Sequence, residues 1–81
     1  VKRLNRIEGQ ITGIKRMVES DKDSADILIQ LNSARSALQK ISHILLETQA
    51  DHALIHVSQG KSLEDEMNEL RKVIIQYNKI N

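Results

Sequence analysis

No proline occurs anywhere in the 81 residues, and after Gly13 no glycine appears until Gly60. Nothing in that long interval favours stopping a helix. Within it Ile27, Leu31, Ala34, Leu38, Ile41 and Leu45 follow one another in alternating steps of four and three, the spacing of a helix–helix seam. Leu28 and Ile44 add a second apolar strip. The pattern predicts one continuous helix of about 34 residues, on the order of 50 Å long. A rod of that length is hard to cover in so short a chain. Its uncovered apolar surface calls for a partner, most simply another copy of the chain.

The flanking segments read as shorter helices. From about Val1 to Glu19, Leu4, Ile7, Ile11, Ile14 and Val18 recur at helical steps and predict one buried face. The polar stretch Ser20-Asp21-Lys22-Asp23 breaks this helix, and Asp23 or Ser24 is placed to cap the next, with Asp26 in its first turn. Gly60 ends the second helix as a C′ glycine does. Ser62 and Asp65 resemble a capping box with Asp replacing the usual Glu. A third helix follows, with Leu63, Met67, Leu70, Ile74 and Tyr77 on one face. The expected fold is all-α: a three-helix protomer with a long central helix, occupying residues 1–81 as a single domain.

Composition restricts how such a fold is stabilised. Tyr77 is the only aromatic residue, so the core must come from aliphatic side chains, Met and Ala. Met17 and Met67 fall on apolar faces and read as core. Small cores usually need disulfides, metal or oligomerisation. Cysteine is absent, which excludes disulfides and favours oligomerisation. No stretch reaches the roughly 18 apolar residues of a membrane span, and no signal-peptide pattern opens the sequence; the expectation is a cytoplasmic protein without membrane contact. No nucleophile–base pair, phosphate loop or complete metal set appears, so the chain does not read as an enzyme, and no cofactor is indicated.

The net charge of +1 says little about partners, but its distribution says more. Residues 1–40 carry eight basic and five acidic side chains, a local excess of +3. On a helical wheel Arg3, Arg6 and Gln10 share a side, with Lys2 and Arg16 close by, while Arg35 and Lys40 belong to the second helix. If the first two helices pack antiparallel, these residues form one positive surface. Arginine suits phosphate because its planar fork donates two parallel hydrogen bonds. Such contacts hold a duplex without reading its sequence. The same charges also fit the ordinary solvated faces of amphipathic helices. Gly9 and Gly13 cost roughly 1 kcal/mol each relative to Ala inside a helix. Close approach of another helix is the simplest offset; close approach of a DNA backbone is the other.

The run Arg3-Leu4-Asn5-Arg6-Ile7-Glu8-Gly9-Gln10-Ile11-Thr12-Gly13-Ile14-Lys15-Arg16-Met17 resembles the signature of the copper-sensing operon repressor (CsoR/RcnR/FrmR) family. Asp26 to Leu31, Ala34 to Leu38 and Leu45-Leu46-Glu47 fall in the order of that family's second helix. The resemblance is close over residues 3–60 and extends to the third helix only by pattern. It implies an antiparallel pair of long helices, a dimeric four-helix bundle, and a homotetramer built from two dimers, with the dimer as fallback. It also implies repression by binding double-stranded operator DNA on a flat basic surface. Arg3, Arg6 and Arg35 match family residues associated with DNA; Lys2, Arg16 and Lys40 join them from the wheel.

The resemblance also implies a metal- or thiol-sensing site, and there the chain departs from the pattern. The family's three ligand positions read Ser24, Gln49 and Ala53. Copper(I) is bound by thiolate, so the expected site is absent, by divergence or by engineered substitution. His52 and His56, at i and i+4, have the spacing to clamp a divalent metal, with Glu47 and Asp51 nearby and His43 more than two turns away. They fit equally a polar face or a subunit contact. The leading expectation is a repressor with an altered or absent inducer. The alternative is a helical assembly module that does not bind DNA, or one that modifies a sister repressor through mixed oligomers.

Overall fold

The computed structural model describes residues 1–80. It contains three helices, α1 (Lys2–Glu19), α2 (Ser24–Ser58) and α3 (Leu63–Ile80), and no strand among the described residues. The chain divides into two compact units, residues 1–40 and residues from 41 onward, and α2 contributes to both.

The helix ends follow from local chemistry. Val1 stands at the N-cap, so α1 begins one residue later than the periodicity predicts. At the other end of α1 the Lys22 N–H donates to the Met17 carbonyl at 3.0 Å and the Asp21 N–H to the Val18 carbonyl at 3.2 Å. This bond pair is a Schellman motif, which closes the last turn when the C′ residue turns left-handed. Here that residue is Asp21, with φ +57°. The Ile27 N–H donates to the Asp23 carbonyl, placing Asp23 at the N-cap and Ser24 as the first residue of α2. The end of α2 repeats the motif with Gly60 at φ +90°: Gly60 N–H to the Val57 carbonyl, Lys61 N–H to the His56 carbonyl. The Asp65 N–H donates to the Ser62 hydroxyl at 3.3 Å, the N-cap bond expected at the start of α3.

In the first unit α1 runs antiparallel to the first part of α2. Ile7 and Ile14 are buried at 7% and 8% exposure against α2, whose Ala34 is 3% exposed. A small residue there lets the helices approach closely. The inward line of α1 is Ile7, Gln10, Ile14 and Met17, and the Gln10 Nε2 donates to the Gln30 carbonyl at 3.3 Å. The expected apolar face is therefore only half used. Leu4, Ile11 and Val18, spaced by seven, stay exposed on one side of it. Gln10 points inward as well as bordering the basic side.

In the second unit the remainder of α2 and α3 form an antiparallel hairpin. Leu46, Gln49, Ala50, Ala53, His56 and Val57 are buried or half-buried on α2. They face Glu66, Leu70, Val73 and Tyr77 of α3. The predicted α3 face is thus rotated: Leu63, Met67 and Ile74 are exposed, while Glu66 and Val73 turn inward. The α2 seam divides in a similar way. Ile27, Ala34 and Ile41 are covered, but Leu31, Leu38 and Leu45 are 43%, 45% and 60% exposed. Within the first unit a narrow α1 face of four residues cannot cover both Ile27 and Ala34 on one row and Leu31 and Leu38 on the other.

Candidate nucleic-acid interface and sensor positions

Antiparallel packing in the first unit brings the start of α1 beside Lys40. Arg3, Arg6, Ile7 and Gln10 from α1 and Ala37 and Lys40 from α2 line a recess of about 240 Å³. Three of its six lining residues are cationic and none is acidic, so the recess concentrates positive potential where an anion can approach both helices. Two guanidinium forks and one ammonium supply charge-assisted donors suited to phosphate oxygens. Lys2, Arg16 and Arg35 are exposed and do not line the recess. Arg16 lies thirteen residues along α1 from Arg3, about 20 Å of helix rise. Arg35 is five residues before Lys40, roughly 140° around the helix from it.

Gly9 and Gly13 lie on the same side of α1 as Lys2 and Arg6. No other helix comes within 4 Å of where a Cβ would stand on either glycine. Close approach of a helix of the same chain, the simpler offset expected from the sequence, is therefore not the reason for them.

The family ligand positions fall in different surroundings. Ser24 is exposed at the start of α2, in the first unit. Gln49 and Ala53 belong to the second unit. Ala53, 8% exposed, faces an apolar recess lined by Ala50, Leu54, Val57, Leu63, Glu66, Met67 and Leu70. Gln49 lines a separate recess with Ser42, Leu45 and Tyr77.

The histidines divide into two clusters, both in the second unit. The Nε2 of His43 lies 2.9 Å from the Glu47 carboxylate and its Nδ1 lies 3.3 Å from the Tyr77 hydroxyl. With Nε2–H donating to Glu47, the neutral ring accepts the Tyr77 hydrogen at Nδ1. His52 and His56 stack with centroids 6.1 Å apart and planes 28° apart. His56 Nδ1 lies 2.9 Å from Glu66 Oε1. Glu66 was not among the residues expected from the sequence. Its signal was the hairpin itself: His56 and Glu66 each stand five residues from Lys61, so reversal at the turn sets them opposite one another. Glu47, expected near His52, pairs with His43 instead. Among the described residues no group of three His, Cys, Asp or Glu side chains is placed to hold a metal ion.

Fold and clusters together define the class: a small all-helical protein with a basic face on the first hairpin and a modest polar cluster on the second. The chain belongs to the metal-sensitive transcriptional repressor family, which it matches over residues 1–76, including most of α3. It is 36% identical over 77 residues to the copper-sensing transcriptional repressor CsoR of Bacillus subtilis (strain 168), covering 95% of this chain and 76% of that protein. Among solved structures it resembles the copper-sensing repressor CsoR with Cu(I) from Geobacillus thermodenitrificans NG80-2. The identity there is 40% and the TM-score 0.86, over 95% of this chain and 80% of that one. The nickel-responsive transcriptional regulator InrS superposes with a TM-score of 0.87 at 30% identity, covering 95% and 86%. The family's proteins are transcriptional repressors and not enzymes.

Proposed function

We propose that this chain represses transcription by holding operator duplex on the face where Arg3, Arg6 and Lys40 converge, and that it has lost the thiolate trigger of the copper sensors. The observation that carries the first part is the cationic recess. Two helices bring three cations together with no acidic side chain among the lining residues, in a family of transcriptional repressors. Lys2, Arg16 and Arg35 extend the positive surface and add phosphate contacts. In this reading the 81 residues act as one domain, work in the cytoplasm, and assemble into a homotetramer, or a dimer at the least. The exposed rows Leu4, Ile11, Val18 and Leu31, Leu38, Leu45 support assembly, since apolar rows at heptad spacing pack against like rows.

The second part rests on donor chemistry. The residues at the family's ligand positions do not fit copper(I). Ser24 offers a hydroxyl, Gln49 an amide and Ala53 a methyl group, and the chain contains no cysteine. Copper(I) prefers soft thiolate or thioether sulfur.

Fluorescence anisotropy with the promoter duplex of the neighbouring gene, beside a scrambled duplex, tests both parts. The expected result is preferential binding of the promoter, unchanged by stoichiometric copper(I) delivered with a competing chelator. Equal, weak binding of both duplexes at low salt would contradict the repressor reading and favour the assembly module. A loss of roughly tenfold in affinity, about 1.4 kcal/mol, on adding copper(I) would contradict the lost trigger.

A further inference from the structure

We propose that His52 and His56 chelate a borderline divalent cation such as zinc(II) or nickel(II), with Glu66 as the carboxylate that orients the His56 ring. The two histidines lie one turn apart on α2, and their rings are nearly parallel with centroids 6.1 Å apart. The i, i+4 spacing lets one ring nitrogen from each reach a common ion in front of the helix face once the two side chains turn toward each other. The geometry of His56 is more specific than its spacing. Its Nδ1 lies 2.9 Å from Glu66 Oε1; with Nδ1–H donating to the carboxylate, the neutral ring presents its Nε2 lone pair outward. A carboxylate behind a ligating imidazole is the usual second partner of protein metal sites, and it raises the ring's basicity as a ligand. The Glu66 side chain is only 14% exposed and lies among Ala53, Leu63 and Leu70, so water competes little for its oxygen.

The chemistry selects the ion. The chain supplies two imidazole nitrogens, and no third His, Cys, Asp or Glu among the described residues completes the set. Water takes the remaining positions. Imidazole and water suit zinc(II) and nickel(II), whereas copper(I) seeks thiolate. His43 does not belong to this site, because both of its ring nitrogens already face partners, Glu47 and Tyr77. The site is also not a purely superficial chelate. Through Glu66 it ties α2 to α3 within the second unit, so loading it strengthens a contact between two helices.

The test needs no DNA, and its failure leaves the operator reading untouched. Zinc(II) is titrated into the full chain in competition with a fluorescent chelator, with far-UV circular dichroism as the check on folding. The wild type takes up one equivalent per chain. His52→Gln and His56→Gln abolish stoichiometric uptake, Glu66→Gln weakens it by roughly tenfold or more, and His43→Gln leaves it unchanged. Because His52 is exposed, its replacement does not disturb folding. Absence of uptake by the wild type, retention of wild-type affinity by His52→Gln, or an equal loss in His43→Gln would overturn the site. Unchanged affinity in Glu66→Gln would overturn the orienting role of that carboxylate.

Discussion

Asp21 holds φ at +57° to close α1, a conformation that costs an L-residue energy and costs glycine little. Gly60 fills the same role at the end of α2. Asp21→Gly is therefore expected to raise stability by roughly 0.5–1 kcal/mol, read as a higher urea midpoint at unchanged m-value; a lower midpoint would mean that the Asp21 side chain contributes more than its backbone strain removes. At this scale the sequence was only partly legible. Gly60 and the Ser62–Asp65 cap could be read directly, because caps depend on neighbours within a turn. The inward Gln10 could not, and Glu66 only by counting residues either side of the predicted turn. Each owes its role to a residue ten or twenty positions away, His56 and the Gln30 carbonyl, and periodicity says nothing of such pairings. The ligand positions Ser24, Gln49 and Ala53 are recognisable only through family resemblance, since hydroxyl, amide and methyl groups leave no chemical pattern to find.

At the scale of the element, α2 was legible in length and continuity. The absence of proline and glycine left no place for it to stop before the Schellman turn at Gly60. Its two apolar rows were also visible, but not which neighbour each row meets. Within the chain Ile27, Ala34 and Ile41 are covered, while Leu31, Leu38 and Leu45 face outward. Within the first unit the division is physical: α1 presents a narrow inward line of Ile7, Gln10, Ile14 and Met17, which meets the row of Ile27 and Ala34 and not that of Leu31 and Leu38. The outward row is then available to a second copy. Replacing both Leu31 and Leu38 by Lys places two charges in that row without touching the covered one. Sedimentation velocity is expected to show the wild type as a tetramer or dimer and the double variant as a helical, dissociated species. A double variant that sediments like the wild type would place the assembly contact elsewhere.

At the scale of the whole molecule, few side chains are buried. Ile7, Ile14, Ala34 and Ala53 form the buried core, and many large aliphatic side chains remain exposed. So thin a core in a chain of this size supports the proposed assembly, because small domains with little buried surface usually gain stability from oligomerisation. In the proposed operator reading, assembly also bears on function, since each copy would bring another Arg3–Arg6–Lys40 recess to the surface and several such recesses on one duplex would multiply the phosphate contacts. Net charge did not announce this, because a local excess of +3 in residues 1–40 is hidden in a total of +1; the packing of α1 on α2 was needed to gather the cations. The most direct test of the operator face is the salt dependence of promoter-duplex affinity for the wild type and for the variant carrying Arg3→Ala, Arg6→Ala and Lys40→Ala. Each neutralised phosphate contributes about 0.9 to the slope of log affinity against log salt. The expected result is a steep wild-type slope and one shallower by about one unit for each cation removed, with helix content and sedimentation unchanged. A variant with the wild-type slope and affinity would contradict it.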